Sequence, residues 1–119
     1  MGASRDRAKY GNKAVRAYIK QGWTVYPVNP NEAEIEGLKS YKSILDIPGP
    51  IDRVTVYLSP MIGLTVLDNV AAVKPGEVFF NPGSDSPEVL EKAASLGLNQ
   101  IVACSIVDIG MSPSQLPSR

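Results

Sequence analysis

Apolar side chains along the chain change between a helical and an extended spacing. Between residues 8 and 21 they recur with the spacing of one helix face, which predicts an amphipathic helix that ends at Gly22. Residues 23–28 are β-branched and aromatic, which predicts a strand. Residues 43–46 follow a polar connection and predict one short helical turn. This part of the chain is therefore a helix-to-strand unit followed by a loop.

The same alternation continues to residue 106. Strands are predicted at 53–58, 77–80 and 100–106, and helices are predicted from Pro60 to about Val73 and from Pro87 to Gly97. The helix that begins at Pro60 is apolar over a wide arc and is expected to be well buried. Strands that alternate with helices predict parallel βαβ units, so the fold class is α/β with a doubly wound parallel sheet between two layers of helices.

One domain of residues 1–107 with a flexible, Ser- and Pro-rich tail of residues 108–119 fits a chain of 119 residues. No apolar run approaches the roughly 18–20 residues of a membrane helix, and no signal peptide is recognisable, so we expect a cytoplasmic protein with no membrane partner. The single cysteine, Cys104, excludes an intramolecular disulfide. It lies in an apolar stretch, where buried thiols are usually inert.

Positive charge is concentrated in the first 20 residues, although the net charge of the chain is zero. This segment holds six basic side chains and one acid, Asp6. A concentrated positive end on a balanced chain predicts a local anionic ligand with several phosphates and argues against a general nucleic-acid surface. A solvated basic helix face is the alternative interpretation.

Small residues and lysines in the same segment suit a phosphate group. Gly2 and Ala3 would let backbone amides approach a pyrophosphate, Ser4 can donate a hydroxyl, and the following helix directs its positive end to the same place. Lys9 and Lys13 lie four residues apart and could reach one anion. The alternative is that the glycines only permit turns.

Ligands of doubly wound sheets bind beyond the carboxyl ends of the strands. The loops at 28–31, 58–60 and 81–84 are therefore expected to meet the Gly2 loop at one edge of the sheet. Gly11 would let the helix backbone pack close to a ligand or a strand. These loops together predict a nucleotide site.

Two common nucleotide motifs are absent. A dinucleotide fingerprint needs G-x-G-x-x-G and an acid after the second strand, but that strand ends in Val28-Asn29-Pro30. A Walker A loop needs Ser or Thr after its lysine, but Ala14 follows Lys13. The chain has no histidine and one cysteine, so no catalytic residue and no metal site is predicted.

These residues resemble the CoA-binding domain family. That family is a Rossmann-like module found alone in small bacterial proteins and at the start of succinyl-CoA synthetase α subunits and NDP-forming acyl-CoA synthetases. The resemblance covers roughly residues 2–106. The matching elements are Gly2-Ala3-Ser4, Lys9-Tyr10-Gly11-Asn12-Lys13, Gly22, Pro27-Val28-Asn29-Pro30, Ile35-x-Gly37, Tyr41-x-Ser43, the Asp52 strand and Asn81-Pro82-Gly83.

The resemblance implies a non-catalytic module that binds coenzyme A (CoA) or acyl-CoA. The phosphates would lie on the first loop and the helix start, with the adenosine near Asn29-Pro30 and Leu58-Ser59-Pro60. Related acyl-CoA synthetases pass phosphate through a histidine, and this chain contains no histidine. The expected CoA contacts are Gly2, Ala3, Ser4, Lys9, Tyr10, Gly11, Asn12, Lys13, Asn29, Pro30, Leu58, Ser59, Pro60, Pro82 and Gly83.

Several alternatives stay open at this point. The chain could be an NAD(P)-linked or nucleotide-sugar Rossmann enzyme, although the second strand lacks the acid. It could also be a structural fragment without a ligand. A homodimer and a partner subunit are both compatible with the sequence, and Cys104 could form a mixed disulfide with the thiol of CoA.

The start of the chain departs from the family pattern. Members of the family enter the first loop from an apolar strand at the centre of the sheet, whereas only Met1 precedes Gly2 here. We therefore expect a sheet that is N-terminally truncated at its first strand.

Such a sheet should leave the isolated chain unstable, because the neighbours of a missing central strand expose unpaired ladder groups. Heating followed by circular dichroism is expected to show no cooperative transition at about 45–65 °C, the range of ordinary mesophile domains. A sharp transition in that range would contradict this expectation.

Overall fold

Helices and parallel strands alternate through most of the computed structural model, which describes residues 1–119. Short 3-10 turns lie at Ile44–Asp46, where a helical turn was predicted, and at Pro113–Gln115. None of the helices is long and apolar enough to span a membrane. In chain order the elements are α1 (Tyr10–Lys20), β1 (Glu34–Ile35), β2 (Leu38–Lys39), β3 (Arg53–Val56), α2 (Pro60–Ala72), β4 (Glu77–Phe80), α3 (Pro87–Ser95), β5 (Gln100–Val102) and α4 (Ser105–Asp108).

Strands β3, β4 and β5 form one parallel sheet with β4 in the middle. Val54 lies opposite Val78, and Phe79 lies opposite Ile101. Val78, Phe79 and Phe80 are fully buried, as expected of a parallel strand with both faces covered. The predicted α/β class with a parallel sheet is confirmed.

Helices cover both faces of the sheet. On one face, Val54 and Val56 pack in the main core with residues of α2 and α3, including Leu67 and Val89. Side chains alternate along a strand, so Tyr57 points to the other face. There it packs against a second cluster of Ala14, Ala17, Ile106 and Leu116. This arrangement agrees with the predicted order of helix, sheet and helix layers.

The end of the chain folds back onto this second cluster. Leu116 is 1% exposed and packs beside α1 and α4. The Ser112 hydroxyl and the Gln115 side chain close a capping box around the last 3-10 turn. The segment expected to have almost nothing to bury therefore buries one leucine, whereas its flexibility stays a prediction.

The predicted strand at 23–28 is wrong. This segment has no regular secondary structure, and only Val28 forms a bridge, with Tyr41. Strand composition alone does not make a strand, because the ladder needs a hydrogen-bonding neighbour. The side of the segment away from Tyr41 has no such neighbour.

The predicted strand at 100–106 is too long. It ends at Val102, and Cys104 is the N-cap residue of α4 and half-buried, not a core residue inside a strand. The chain turns here because the buried Asn81 side chain accepts a hydrogen bond of 2.8 Å from the Ser105 N–H.

Two further expectations need correction. Helix α2 is not well buried around its circumference, since Met61 is 81% exposed and only Gly63, Leu67 and Val70 are buried. One face of α2 meets the core and the other has no layer above it. Strands β1 and β2 form a hairpin that the polar connection concealed, with Glu36 and Gly37 both at positive φ in its two-residue turn.

Met1 extends the sheet by one residue beside β3. Its amino nitrogen donates to the Thr55 carbonyl at 2.7 Å, and its carbonyl accepts from the Tyr57 N–H at 2.9 Å. These two bonds flank Val56 in the pattern of a parallel pair. Burial lowers the pKa of the Met1 amine from 8.0 to about 5.

This amine makes stability depend on pH. Below about pH 8 the unfolded chain binds a proton that the folded chain binds only below about pH 5. Stability should therefore rise between pH 5 and pH 8, by at most about 4 kcal/mol at roughly 1.4 kcal/mol per pKa unit. The chain has no histidine, so no side chain with an unperturbed pKa in this window adds to the effect.

Urea unfolding near the temperature of maximum stability, about 10–20 °C, measures this effect. The unfolding midpoint of the chain with Met1 retained should rise between about pH 5.5 and pH 7.5, two values that lie between the folded and unfolded pKa of the amine. N-acetylation should remove most of this rise. If the urea midpoint rises equally with pH in the free and the acetylated chain, the amine is not buried.

Candidate functional site

The Gly2 loop is held tightly between α1 and the end of β3. A Cβ atom on Gly11 would lie 2.2 Å from the Gly2 carbonyl oxygen, and one on Gly2 would lie 2.6 Å from the Tyr57 carbonyl oxygen. Gly2 also has a φ of +81°, which favours glycine. Gly11, in contrast, lies in α1 and needs no unusual φ. Its glycine serves the close approach of two backbones and does not make a turn.

Two asparagine side chains donate hydrogen bonds to backbone carbonyls of the Gly2 loop. Asn12 Nδ2 donates to the Ser4 carbonyl at 2.9 Å, and Asn29 Nδ2 donates to the Ala3 carbonyl at 2.8 Å. Asn12 is fully buried, and its Oδ1 accepts from Arg16 Nε at 2.7 Å. Both asparagines were predicted to contact the ligand, and the structure places them as supports of the loop.

A pocket of about 280 Å³ opens beside this loop. The loops after β3 and β4 reach it together with the start of α1, as the edge argument predicted. Its lining residues are Gly2, Lys9, Tyr10, Gly11, Tyr57, Leu58, Ser59, Pro82, Gly83 and Ser84.

The pocket is rich in backbone N–H groups without an acceptor in the chain. They belong to the loop, to the first turn of α1 and to the two strand-end loops. Helix α1 has no acidic residue in its first turn, and the side chain of its N-cap residue, Lys9, makes no capping bond. Free N–H groups and the positive end of a helix together favour an anion. The residues with unpaired N–H groups are Gly2, Tyr10, Gly11, Leu58, Ser59 and Gly83.

Much of the positive charge of the first 20 residues is already paired. Arg5 and Arg7 form ion pairs with acidic residues at 3.7 and 3.6 Å, and Arg16 is buried beside Asn12. Lys9 and Lys13 have no acidic partner. The charge near the pocket therefore comes from these two lysines and the helix end.

Eight of the predicted contacts line the pocket, and the other seven do not. Ala3 is buried, and Ser4 Oγ accepts from the Asp6 N–H at 3.0 Å, so neither side chain is directed at a ligand by the structure. Pro30 is exposed beyond Asn29. The residues outside the lining are Ala3, Ser4, Asn12, Lys13, Asn29, Pro30 and Pro60.

Two lining residues, Tyr57 and Ser84, are not among the expected contacts, although Ser84 lies in the loop at 81–84 that was expected at this edge. The Tyr57 hydroxyl lies 3.2 Å from Ser105 Oγ, and burial raises the pKa of Tyr57 to about 12. Tyr57 is the residue before the predicted Leu58 loop, so its place at the strand end was the available signal. Its phenol stays protonated at neutral pH and is suited to hydrogen bonding.

No group of three or more His, Cys, Asp and Glu side chains is arranged to hold a metal ion.

Residues 1–110 match the sequence model of a family described as CoA binding domain. The chain belongs to this CoA-binding domain family. The match includes the Gly2 loop, α1 and all lining residues of the pocket.

Solved structures share the fold of this CoA-binding domain over most of its length. A conserved hypothetical protein from Pyrococcus furiosus is 34% identical with a TM-score of 0.83, over 90% of this chain and 93% of the other. A Thermus thermophilus protein is 30% identical with a TM-score of 0.83, over 91% and 83%. The dinucleotide-forming acetyl-coenzyme A synthetase 1 of Ca. Korarchaeum cryptofilum is 26% identical with a TM-score of 0.75, over 86% and 24%.

Curated relatives are much longer than this chain. The α subunit of an ADP-forming acetate–CoA ligase II from Pyrococcus furiosus is 47% identical over 57 residues, which are 47% of this chain and 12% of that protein. An ADP-forming acetate–CoA ligase from Methanocaldococcus jannaschii is 32% identical over 68 residues, 57% of this chain and 10% of the relative. The CoA-binding domain is thus related to a small part of these ligases.

The contact between Gly11 and the Gly2 loop can be tested by Gly11→Ala. The added methyl group would press on a backbone carbonyl, so we expect a loss of about 1–3 kcal/mol in the free energy of unfolding. Gly63→Ala is the matched control, because its Cβ would lie 4.0 Å from Val89 and alanine favours a helix by up to about 1 kcal/mol. Urea unfolding measures both variants. Equal urea midpoints for Gly11→Ala and Gly63→Ala would mean that the α1 backbone does not pack tightly on the Gly2 loop.

Proposed function

We propose that this chain binds CoA or acyl-CoA in the pocket beside the Gly2 loop and does not itself catalyse a reaction. The observation that carries the proposal is the cluster of unpaired N–H groups at the start of α1, in a chain of the CoA-binding domain family. Alignment of such groups with a helix end is a common way to hold phosphate. Two curated relatives are acetate–CoA ligases, which supports CoA as the ligand.

The pyrophosphate and the adenosine of CoA each have a matching surface in this proposal. The pyrophosphate lies on the N–H groups of Gly2, Tyr10 and Gly11, where Lys9 adds a positive charge. The adenosine lies against the loops after β3 and β4, at Leu58-Ser59 and Pro82-Gly83. Asn12 and Asn29 contribute indirectly, because they fix the loop that carries the first contacts.

The proposed lack of catalysis is supported by the side chains near the pocket. The chain has no histidine, and the phenol of Tyr57 has a pKa raised to about 12, which makes it a poor base at neutral pH. A synthetase would need further residues. The relatives are about eight to ten times as long as the matched segments, which are 12% and 10% of their length, and one is an α subunit. This supports a role as a binding module beside a partner subunit.

Calorimetry with CoA tests the proposal directly. Lys9→Glu and Lys13→Glu should each weaken binding several-fold, because they remove an attraction to phosphate and add a repulsion. The loss should shrink as salt rises from low to physiological concentration. Lys20→Glu is the matched control, since it lies at the other end of α1 and also has no acidic partner.

The choice of ligand separates CoA from a general nucleotide. CoA should bind more tightly than NAD at equal salt, because the segment that ends in Val28-Asn29-Pro30 lacks the acid that a dinucleotide site needs. Dissociation constants above about 1 mM for CoA would overturn the proposal. Equal loss of affinity in Lys20→Glu would show a general charge effect and no site at the α1 start.

A further inference from the structure

CoA carries two separate anionic groups, and the unpaired lysines beside the pocket suit one of them. Its pyrophosphate has one negative charge on each phosphate, and the 3′-phosphate on its ribose adds about −1.5 to −2 charges near neutral pH. The proposed function places the pyrophosphate at the start of α1, where Lys9 and Lys13 have no acidic partner. The charges of these two lysines balance the pyrophosphate alone. A 3′-phosphate would need a further cationic group beside the ribose.

The loops against which the proposed function places the adenosine contain no basic side chain. After Leu58-Ser59, α2 begins with Pro60-Met61-Ile62, which is a neutral first turn. Pro82-Gly83 belongs to the segment 81–91, which holds three acidic residues and no basic one. The ribose of a ligand bound there lies among neutral and acidic residues.

One of these acids, Asp85, directly follows the pocket residue Ser84. Asp85 is half-buried and has no ion-pair partner. Helix α3 begins two residues later, and its positive end is already occupied, since the Ser86 hydroxyl accepts from the Val89 N–H at 3.1 Å and Glu88 lies in its first turn. An acid in the first turn satisfies the helix dipole and repels a further anion. This side of the pocket therefore disfavours a second phosphate.

Five of the twelve basic side chains are bonded within the fold. Four of them form ion pairs with acids, and the fifth is buried against Asn12. In that order they are Arg5, Arg7, Arg53, Lys92 and Arg16. A 3′-phosphate could use Arg5, which follows the Gly2 loop, only by displacing Glu32.

The five remaining cations lie outside the pocket lining and outside the adenosine loops. They are Lys20, Lys39, Lys42, Lys74 and Arg119. Lys39 and Lys42 flank Tyr41, which bonds to residues 27–29 on the side away from β3. Residues 27–29 and the Gly2 loop therefore separate both lysines from the loops after β3 and β4.

We propose that this site binds the adenosine pyrophosphate of its ligand without recognising a 3′-phosphate, and that Asp85 is the residue that disfavours this group. The inference rests on the proposed function and narrows its ligand class, because dephospho-CoA and its acyl thioesters then bind at least as tightly as CoA. Two lysines attract the pyrophosphate, whereas the loop beside the ribose carries an unpaired acid. CoA bound here keeps its 3′-phosphate in solvent, where water and salt screen the charge.

Calorimetry of the full chain with CoA and with dephospho-CoA tests this inference. Dephospho-CoA should bind as tightly as CoA at physiological salt and about two- to fivefold more tightly at low salt, where the repulsion by Asp85 is less screened. Asp85→Asn removes the charge and keeps the shape, so it should strengthen CoA binding at low salt by about the same factor and leave dephospho-CoA binding unchanged. Asp52→Asn is the matched control, because Asp52 is exposed and precedes β3 at the end away from the pocket.

Two results would overturn this inference alone. The first is CoA binding at least about threefold more tightly than dephospho-CoA, and loss of that preference in Arg5→Gln would then assign the 3′-phosphate to Arg5. The second is an equal gain of CoA affinity in Asp85→Asn and Asp52→Asn, which would be an effect of net charge. Binding of neither ligand below about 1 mM would instead overturn the proposed function and this inference with it.

Discussion

The backbone of α1 touches the backbone of the Gly2 loop at Gly11, and this contact sets the geometry of the ligand edge. No side chain fits between them, since a Cβ on Gly11 would overlap the Gly2 carbonyl oxygen. The loop in turn lies on the Tyr57 carbonyl at the end of β3. Helix, loop and strand are therefore brought together by two glycines, and the N–H groups of Tyr10 and Gly11 at their junction have no acceptor in the chain.

A polar layer under the loop keeps this geometry and leaves the ligand side unpaired. Asn12 is buried with its amide fully bonded, which orders the loop without using its N–H groups. Arg16 packs on Asn12, so its charge serves the fold. Lys9 and Lys13 have no acidic partner, and the proposed function assigns them to the phosphates of the ligand.

Local signals in the sequence predicted the elements that depend on local chemistry. Pro60 and Pro87 begin helices as expected, β4 has its predicted bounds, and β3 begins as predicted but ends two residues before the predicted 58. The segment 23–28 could not be assigned from its composition, because a strand exists only with a neighbour to bond. Leu116 has no periodic partners in sequence, so its burial was invisible.

The sequence predicted the glycine positions of the candidate site better than the roles of its side chains. Glycines at a loop and a helix start have few explanations, and the structure brings Gly2 and Gly11 together. An asparagine can face a ligand or hold a loop, and only the fold distinguishes these roles for Asn12 and Asn29.

An NMR titration of the ¹⁵N-labelled chain with CoA is the most direct test of the proposed binding site. The account predicts shifts in the amide signals of Gly2, Tyr10, Gly11, Ser59 and Gly83 that saturate together, with Gly97 unchanged. Saturable shifts confined to residues outside that pocket would contradict it.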